Sequence, residues 1–242
     1  MFQHLYSSII FPIKDFFFPP LCFSCKNRLR DNEQRICLEC WNSIAPTKSH
    51  DATVQLLYKR FEEDGNVTKV FSYFYFEKRG VFQQMIHSLK YEGTTKFGFE
   101  FGVYVGKQLQ EEKEFPVCNG IIPIPLNPMK ERERGYNQSE VIAKGISSVL
   151  NIPVCSKIVQ RVKYTTTQTY LNPLERKENV KDAFVLNSTM KNFVKGKKFL
   201  IVDDVITTGA TIQAVAKIIK ENGSGNIYVA SAALAKLEED KS

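Results

Sequence analysis

"FLIVDDVITTGAT", Phe199 to Thr211, is the most informative stretch of this chain. Its first four residues are apolar, which is typical of a strand that is buried on both faces of a parallel sheet. Asp203 and Asp204 follow at the carboxyl end of this strand, and open α/β folds bind their ligands at that end. The stretch therefore predicts an α/β fold with a ligand site just after the strand.

The loop after the two aspartates, residues 207–211, consists mainly of small and hydroxyl-bearing residues. Backbone N–H groups at the start of a helix, the helix dipole and threonine hydroxyls together favour binding of one anion. Adjacent buried carboxylates must accept hydrogen bonds or approach a cation. We therefore expect a sugar phosphate whose hydroxyls contact Asp203 and Asp204 and whose phosphate contacts the loop. A simple capped helix would account for Thr208 or Thr211 but leaves the two acids unexplained.

Strand and helix patterns alternate from residue 67 onward. Strands are predicted near 70–77, 120–124, 154–162, 199–204 and 227–234, and helices over 81–90, 95–114, 139–150 and 211–223. This alternation predicts a doubly wound, mainly parallel sheet. With 242 residues, 43% of them hydrophobic, the chain can bury one sizeable core with a small appendage. It has neither a Gly-Lys-Ser/Thr phosphate loop nor a G-x-G-x-x-G dinucleotide motif.

Four of the six cysteines form two C-x-x-C pairs, Cys22 with Cys25 and Cys37 with Cys40, separated by eleven residues. Four thiolates at this spacing can surround one tetrahedral zinc ion, and a segment this small needs such a cross-link to fold. Two disulfides are an alternative in an oxidising compartment, and a redox C-x-x-C is another, although it needs no second pair. We interpret the four cysteines as a structural Zn²⁺ site.

The basic residues are concentrated in one segment, because Ile121 to Leu200 holds 14 Lys/Arg against 6 Asp/Glu within a chain of net charge +7. Such an excess is often only a solvated face. It also suits phosphates or nucleic acid, and the segment adjoins the anion-binding loop. Cations that follow a backbone and aromatic rings that stack bases are the two parts of single-strand binding. The candidates for contact with single-stranded DNA are Arg132, Arg134, Tyr136, Arg161 and Lys163.

The sequence contains no membrane-spanning pattern. No apolar run approaches the roughly 20 residues that a membrane-spanning helix needs. The first twenty residues are rich in aromatic side chains, but they lack a basic leader region and include Pro12, Lys14 and Asp15. We therefore expect a cytoplasmic protein without stable membrane insertion.

Phe199 to Thr211 closely resembles the signature of type I phosphoribosyltransferases, which bind phosphoribosyl pyrophosphate. Four further stretches resemble the competence-protein ComF (ComFC) family, and they occur in the family's order over nearly the whole chain. They are the cysteine pairs after "FFFPPLC", "IHSLKYEG" at Ile86 to Gly93, "IPIPLNPMKERERGYNQSE" at Ile122 to Glu140, and "RVKYTTTQTYLNPLERKENVKDAF" at Arg161 to Phe184.

The resemblance implies a zinc-ribbon-like N-terminal module, within residues 1–45, and a phosphoribosyltransferase-type domain over 67–242, and the polar stretch Ala45 to Gln55 predicts a linker over 46–66 between them. It also implies a role in natural transformation, in handling single-stranded DNA in the cytoplasm, with other proteins of the DNA-uptake machinery as possible partners.

The same resemblance implies roles for residues of the ligand site. Asp203 and Asp204 would face the ribose hydroxyls of phosphoribosyl pyrophosphate, Lys90 would lie on its pyrophosphate side, and Mg²⁺ would accompany the ligand. The residues that would bind the 5′-phosphate are Thr207, Thr208, Gly209, Ala210 and Thr211.

Two functions remain open from the sequence. Phosphoribosyl transfer passes through a cation-like state, so an enzyme needs mainly positioning and cations on the leaving pyrophosphate. The chain has these parts but shows no readable acceptor pocket, and fold alone does not establish activity. The first hypothesis is a ComF-like DNA-uptake factor that binds phosphoribosyl pyrophosphate and single-stranded DNA. The alternative is a metabolic phosphoribosyltransferase that acts on a small base or amine; the basic segment and the cysteines favour the first.

Overall fold

The computed structural model describes residues 19–236 except 32, 34, 49, 78–79, 92–94 and 163–182. The helices are α1 (Leu38–Asn42), α2 (Ala52–Asp64), α3 (Val81–Tyr91), α4 (Thr95–Glu111), α5 (Pro128–Arg134), α6 (Gln138–Leu150), α7 (Lys191–Val194) and α8 (Ala210–Glu221). The strands are β1 (Lys69–Phe76), β2 (Gly120–Pro123), β3 (Val159–Arg161), β4 (Phe184–Leu186), β5 (Phe199–Ile206) and β6 (Ile227–Ala235). A short 3-10 turn, Ser188–Met190, precedes α7.

Four strands form one parallel sheet in the order β1-β6-β5-β2. The strands β3 and β4 form a separate antiparallel pair. Short bridges cover both edges of the main sheet, because Pro46 pairs with Phe74 of β1 and Val154 pairs with Ile121 of β2. The mainly parallel α/β sheet expected from the sequence is therefore confirmed.

Successive residues of β5 enter two separate apolar clusters, one on each face of the sheet. Phe199 and Ile201 pack with α2 and α8. Leu200 and Val202 pack with α3, α4 and α6 on the other face. All four side chains are fully buried, which explains why this strand is continuously apolar. Helices thus cover both faces, as a doubly wound sheet requires.

Glycines bring α4 and α6 into direct backbone contact. A Cβ atom on Gly102 would lie 2.1 Å from the carbonyl oxygen of Ile142, and one on Gly145 would lie 2.2 Å from that of Phe99. No side chain fits at either position without moving a helix. This packing sets the position of α6, whose first turn enters the ligand cleft described below.

The segment 46–66, expected to be a linker, belongs to the packed fold. The backbone N–H of Thr47 donates to the carbonyl of Tyr73, and that of Tyr75 donates to the carbonyl of Ala45. Residues 45–47 thus form a short strand-like edge along β1. Edge pairing of this kind depends on a partner far along the chain, which a local polar composition does not reveal.

Helix α2 follows within the same segment. Asp51 precedes it and accepts a hydrogen bond of 2.7 Å from the hydroxyl of Tyr75. Val54, Leu57 and Phe61 are buried in the cluster that α2 shares with α8. Val54, Leu57, Tyr58 and Phe61 stand at i, i+3, i+4 and i+7, which is a helical pattern, but it begins within the polar stretch that was interpreted as a linker.

Two other segments differ from the sequence-based expectation. The strand expected over 154–162 is divided into the bridge at Val154 and the three-residue β3, because a turn at 156–157 intervenes. The loop expected after β2 contains α5, which Asn127 caps by accepting a hydrogen bond of 2.9 Å from Met129 N. The helix ends at Gly135, whose φ of 80° is the left-handed conformation that glycine favours.

The cysteine module, defined here as residues 19–44, is docked on the α/β domain through Trp41. The indole ring centroid lies 5.8 Å from that of Phe74, 6.3 Å from that of Phe101 and 5.4 Å from that of Tyr104. Aromatic contacts at these distances contribute beyond simple burial. The module is therefore packed against β1 and α4.

Helix α4, with 17 residues, is the longest helix in the described part of the chain. Its buried residues face α6 and the sheet, and Lys96, Glu100 and Lys107 lie elsewhere on its surface. Neither α4 nor any other helix in the described ranges is both long and apolar enough to cross a membrane.

Candidate ligand cleft and metal centre

A cleft with a volume of about 320 Å³ opens at the carboxyl ends of β1, β2 and β5. Its floor and walls come from residues that are distant in sequence. They are Phe76, Lys90, residues 124–126, Lys130, Arg134, residues 137–139, Arg161 and residues 203–212. The fold thus brings together Lys90, Arg134, Arg161, the acid pair and the hydroxyl-rich loop, all of which were singled out from the sequence.

The two adjacent aspartates have different partners. The ammonium Nζ of Lys90 lies 2.7 Å from Asp204 Oδ2. The hydroxyl of Ser139 donates to Asp203 Oδ1 at 3.1 Å, and the backbone N–H of Asp204 donates to the same oxygen at 2.9 Å. Asp204 is therefore neutralised by a cation, whereas Asp203 is held by hydrogen-bond donors.

These partners move the pKa values of the two acids in opposite directions. Burial, reinforced by the neighbouring charge of Asp204, raises the pKa of Asp203 to about 7. Burial also acts to raise the pKa of Asp204, but the ammonium of Lys90 outweighs it and holds that pKa below its usual value. Burial opposes the charge of Lys90, yet Asp204 raises the pKa of Lys90 overall. Near neutral pH, Asp203 is therefore the group that exchanges a proton.

The loop between β5 and α8 is open for an anion. Gly209 stands at the start of α8 with φ of 80° and has no side chain to cap the helix. The hydroxyl of Thr208 accepts one long hydrogen bond, 3.4 Å, from Ala210 N. The N–H groups of Thr211 and Ile212, next in the 12-residue helix, point toward an anion at this end, and the dipole favours negative charge there. A Cβ on Gly209 would lie 2.8 Å from the ring of Phe61, so α2 packs directly beneath the loop.

Sequence reasoning assigned no role to the first turn of α6, although it lines the cleft. Asn137 caps the helix by accepting from Ser139 N at 3.0 Å, and its amide donates to the carbonyl of Ile124 at 2.9 Å. Gln138 is 3% exposed and accepts from Arg134 Nη1 at 3.0 Å. Its Nε2 is buried without a hydrogen-bond partner among the described residues. The run Asn-Gln-Ser, residues 137–139, at the start of α6 was the sequence signal that could have identified the Gln138 amide as a donor.

Four cations surround the acid pair. Burial, with the nearby charges of Arg134 and Arg161, lowers the pKa of Lys130, which shows that these groups are crowded together. Burial lowers the pKa of Arg161 against the opposing charge of Asp203, and its guanidinium lies 5.3 Å from the centroid of the Phe184 ring. With Lys90, the cations outnumber the two carboxylates. The cleft therefore suits a ligand that carries more than one phosphate.

The structure separates the residues proposed from sequence to contact single-stranded DNA. Arg134 and Arg161 line the cleft, whereas Arg132 is exposed and does not line it. Tyr136 is half-buried, packs against the apolar cluster and donates its hydroxyl to the carbonyl of Leu89. Its ring is therefore not an open platform for a base. Lys163 lies outside the described residues.

The four cysteines of the module meet at one point. The Sγ atoms of Cys22, Cys25, Cys37 and Cys40 all lie within 4.8 Å of one another, and those of Cys25 and Cys37 are 3.6 Å apart. Tetrahedral zinc with bonds of about 2.3 Å requires sulfur atoms about 3.8 Å apart. Burial, with the neighbouring thiols, raises the pKa of Cys40 to about 12, whereas burial at Cys22 is outweighed by backbone N–H donors, which lower the pKa of Cys22 to about 6. Four adjacent thiolates repel one another, so all four can be ionised together only around a cation. The cluster can hold one zinc ion.

Backbone N–H groups also point at two of these sulfur atoms. The N–H of Cys37 lies 3.4 Å from Cys22 Sγ, and that of Cys40 lies 3.5 Å from Cys37 Sγ. Lys26, directly after the first pair, has a φ of 64°, which turns the chain back around the cluster. Donors aimed at sulfur favour the thiolate form that a metal binds.

Comparison with known proteins agrees with this geometry. A model of the phosphoribosyl transferase domain matches residues 137–241. Competence protein F of Haemophilus influenzae is 40% identical over 109 residues, which are 45% of this chain and 47% of that protein. DNA utilization protein YhgH of Shigella flexneri is 37% identical over 109 residues, which are 45% of this chain and 46% of that protein. Competence protein ComFC of Streptococcus pneumoniae is 25% identical over 214 residues, which are 86% and 84% of the two chains.

The chain is therefore similar to proteins of the ComF family. The resemblance read from the sequence and the phosphoribosyltransferase-type fold are thereby confirmed. In the first two alignments, the chain spans about half the length of the curated relatives that it matches. The phosphoribosyl transferase model includes α6, β5 and α8, whereas Lys90 and the cysteine module lie outside it.

Proposed function

We propose that this chain is a ComF-like DNA-uptake factor of natural transformation that binds phosphoribosyl pyrophosphate and handles single-stranded DNA. The observation that carries the ligand assignment is the placement of Asp203 and Asp204 between the start of α8 and a group of four cations, within one cleft. The names of the relatives, Competence protein F and DNA utilization protein, support the DNA assignment.

Each part of phosphoribosyl pyrophosphate has a matching feature in the cleft. The 5′-phosphate would accept hydrogen bonds from the loop of residues 207–211 and the start of α8. The ribose hydroxyls would donate to Asp203 and Asp204, which lie directly before that loop. The pyrophosphate would face the remaining cations, Lys130, Arg134 and Arg161, and the unpartnered amide of Gln138 offers one further donor.

Two metal ions belong to the proposal. Mg²⁺ binds through carboxylate and phosphate oxygens, and it would accompany the pyrophosphate as a counter-charge beside the acid pair. Zn²⁺ would be structural, held by the four cysteines. Other proteins of the DNA-uptake machinery are proposed partners, and a cytoplasmic location stays a prediction.

A metabolic phosphoribosyltransferase is the second candidate, and the apolar wall of the cleft favours it. Phe76, Ile124 and Leu126 line the same cavity as the acids, and a flat base can pack against such a wall. Incubation of phosphoribosyl pyrophosphate and Mg²⁺ with a panel of nitrogenous acceptors separates the candidates. Consumption of phosphoribosyl pyrophosphate with one acceptor would favour the transferase, and its persistence with all of them favours a ligand-binding role.

The ligand assignment is tested by thermal unfolding. Phosphoribosyl pyrophosphate with Mg²⁺ at about 100 times its Kd should stabilise the protein by about 2.7 kcal/mol, which corresponds to a rise in Tm of about 5–10 °C. Asp203→Asn with Asp204→Asn should abolish the rise, because amides do not accept charge-assisted hydrogen bonds from hydroxyls. Glu221→Gln, an exposed carboxylate paired with Lys217, is the matched control and should keep it. An unchanged rise in the double variant would place the ligand elsewhere.

A further inference from the structure

The end of the main sheet opposite the cleft carries a cluster of lysines. We call Lys157, Lys191, Lys195, Lys197 and Lys198 the lysine edge. They lie in the turn before β3, at the start of α7 and in the turn before β5. Lys197 is half-buried and the other four are exposed.

Hydrogen bonds hold the loops of this end together. The backbone N–H of Lys198 donates to Asn119 Oδ1 at 2.9 Å, and Asn119 N donates to the carbonyl of Lys198 at 2.8 Å. The N–H of Gly225 donates to the carbonyl of Lys197 at 2.8 Å. The turns before β2, β5 and β6 are thereby joined, so the lysines extend from a fixed backbone.

The loops that carry the lysine edge contain no acid. Residues 151–160, 187–198 and 222–226 hold five lysines and no Asp or Glu. None of these lysines makes an ion pair with an acid among the described residues. Two of the flanking acids already have partners, because Glu114 pairs with Lys69 and Glu221 pairs with Lys217; Glu111 and Glu112 stand at the end of α4 and directly after it. The surface therefore has positive charge available for an external polyanion.

The chemistry of the patch favours a nucleic acid backbone over a membrane. Its exposed ring, Phe193, has the ammonium of Lys197 at 3.4 Å from its centroid and the ring of Phe199 at 6.3 Å. A ring held in this way is not free to insert into lipid. The helix α7 has only four residues, so it offers no amphipathic face of the kind that binds a bilayer surface.

We propose that the lysine edge binds the phosphate backbone of single-stranded DNA at a site separate from the cleft. The proposal rests on the DNA-handling part of the proposed function and assigns that part to a surface. Four residues of β5, Phe199 to Val202, lie between Lys198 and Asp203 at the cleft, a separation of about 17 Å at roughly 3.3 Å per residue. DNA and phosphoribosyl pyrophosphate should therefore bind at the same time.

The test is a salt-dependent titration with a fluorescent oligothymidine. Lys191→Gln, Lys195→Gln and Lys198→Gln together should lower the affinity about 10- to 100-fold at 0.1 M salt. They should also make the slope of log affinity against log salt shallower by about 2, since each neutralised phosphate contributes about 0.7. The control variant, with the same change in net charge at exposed sites elsewhere, combines Lys48→Gln, Lys59→Gln and Lys107→Gln.

Further measurements separate the possible failures. Both triple variants should keep the Tm of the wild type and its rise with phosphoribosyl pyrophosphate, because only exposed side chains change. Saturating phosphoribosyl pyrophosphate should leave DNA affinity unchanged, and displacement of DNA would instead place it in the cleft. Equal loss in both triple variants, no DNA binding by the wild type, or binding only to phosphatidylserine vesicles would overturn the proposal. The ligand-induced rise in Tm tests the cleft independently of these outcomes.

Discussion

The cysteine module and the α/β domain are stabilised in different ways. Among the described residues of the module, the buried members of its apolar cluster are Cys22, Leu29 and Cys37, with Cys40 packed against them. Each of the two clusters of the domain contains more than twenty. Ordering a residue costs about 1–2 kcal/mol of backbone entropy, which so small a cluster does not offset. We therefore expect the module to depend on a bound metal and the domain to fold on its own core.

The two regions are nevertheless joined by more than the chain. Trp41 packs among rings of the domain, residues 45–47 pair with β1, and Phe61 of α2 lies beneath the ligand loop at Gly209. The segment from residue 45 to the end of α2 therefore adjoins the module at its first residues and the ligand loop at Phe61. A substitution in one region should therefore affect the other region through these contacts.

The largest effect is expected from Cys37→Ser. One zinc ion per chain should be lost, because three remaining thiolates bind it much more weakly. The module should unfold, and the emission of Trp41, the single tryptophan of the chain, should shift to longer wavelength while the far-UV spectrum of the sheet persists. Metal analysis and fluorescence measure both changes, with Cys155→Ser, outside the cluster, as control. Full zinc retention in Cys37→Ser would contradict the four-cysteine site.

A smaller effect should follow Trp41→Ala, which removes the aromatic contact between the module and the domain and keeps the four cysteines. Truncation of a large aromatic side chain in a packed site costs about 3 kcal/mol. The Tm should fall by about 6–12 °C, and the zinc content should remain at one per chain. The measurements are thermal unfolding and metal analysis. A Tm equal to that of the wild type would mean that the module is independent of the domain after all.

Phe61→Ala tests whether α2 supports the ligand loop of the cleft. Removal of the ring leaves space beneath Gly209, so the ligand loop loses its support. The affinity for phosphoribosyl pyrophosphate should fall about 10-fold, or about 1.4 kcal/mol, while zinc stays bound. Isothermal titration measures the affinity, and Phe99→Ala, at a 40% exposed residue of α4, is the matched control. If both variants bind equally, α2 does not position the loop.

The smallest effect concerns pH. Because the pKa of Asp203 is raised to about 7 from an unfolded value of about 3.9, the native protein holds a proton that the unfolded chain has lost. The contribution of this group to stability should therefore decrease as pH rises from about 4 to 7. The affinity for phosphoribosyl pyrophosphate should increase several-fold from pH 6 to pH 8, as Asp203 becomes a carboxylate. Asp203→Asn should flatten this dependence; an unaltered profile in that variant would assign the titration to another group.

Local sequence patterns predicted much of the fold and of the candidate sites. The apolar run before Asp203, the hydroxyl-rich loop and the two C-x-x-C pairs are contiguous, so their chemistry follows from spacing alone. The sheet class followed from alternation, and the resemblance to the ComF family followed from motifs in order. Helix α2 was not predicted, although Val54, Leu57 and Phe61 have helical spacing, because it begins within a polar stretch that is typical of a linker. Its burial depends on β1 and α8. The roles of the site residues toward a ligand stay predictions.

Those local patterns did not predict contacts between residues that are distant in sequence. The ion pair between Lys90 and Asp204 joins residues more than a hundred positions apart, and it exists because α3 ends beside the carboxyl end of β5. The basic residues of one sequence segment lie on two separate surfaces. Arg134 lines the cleft, and Lys198 lies at the opposite end of the sheet. Composition states how many charges a chain has. Their electrostatic effect depends on distance and burial, and these arise only when the strands are placed side by side.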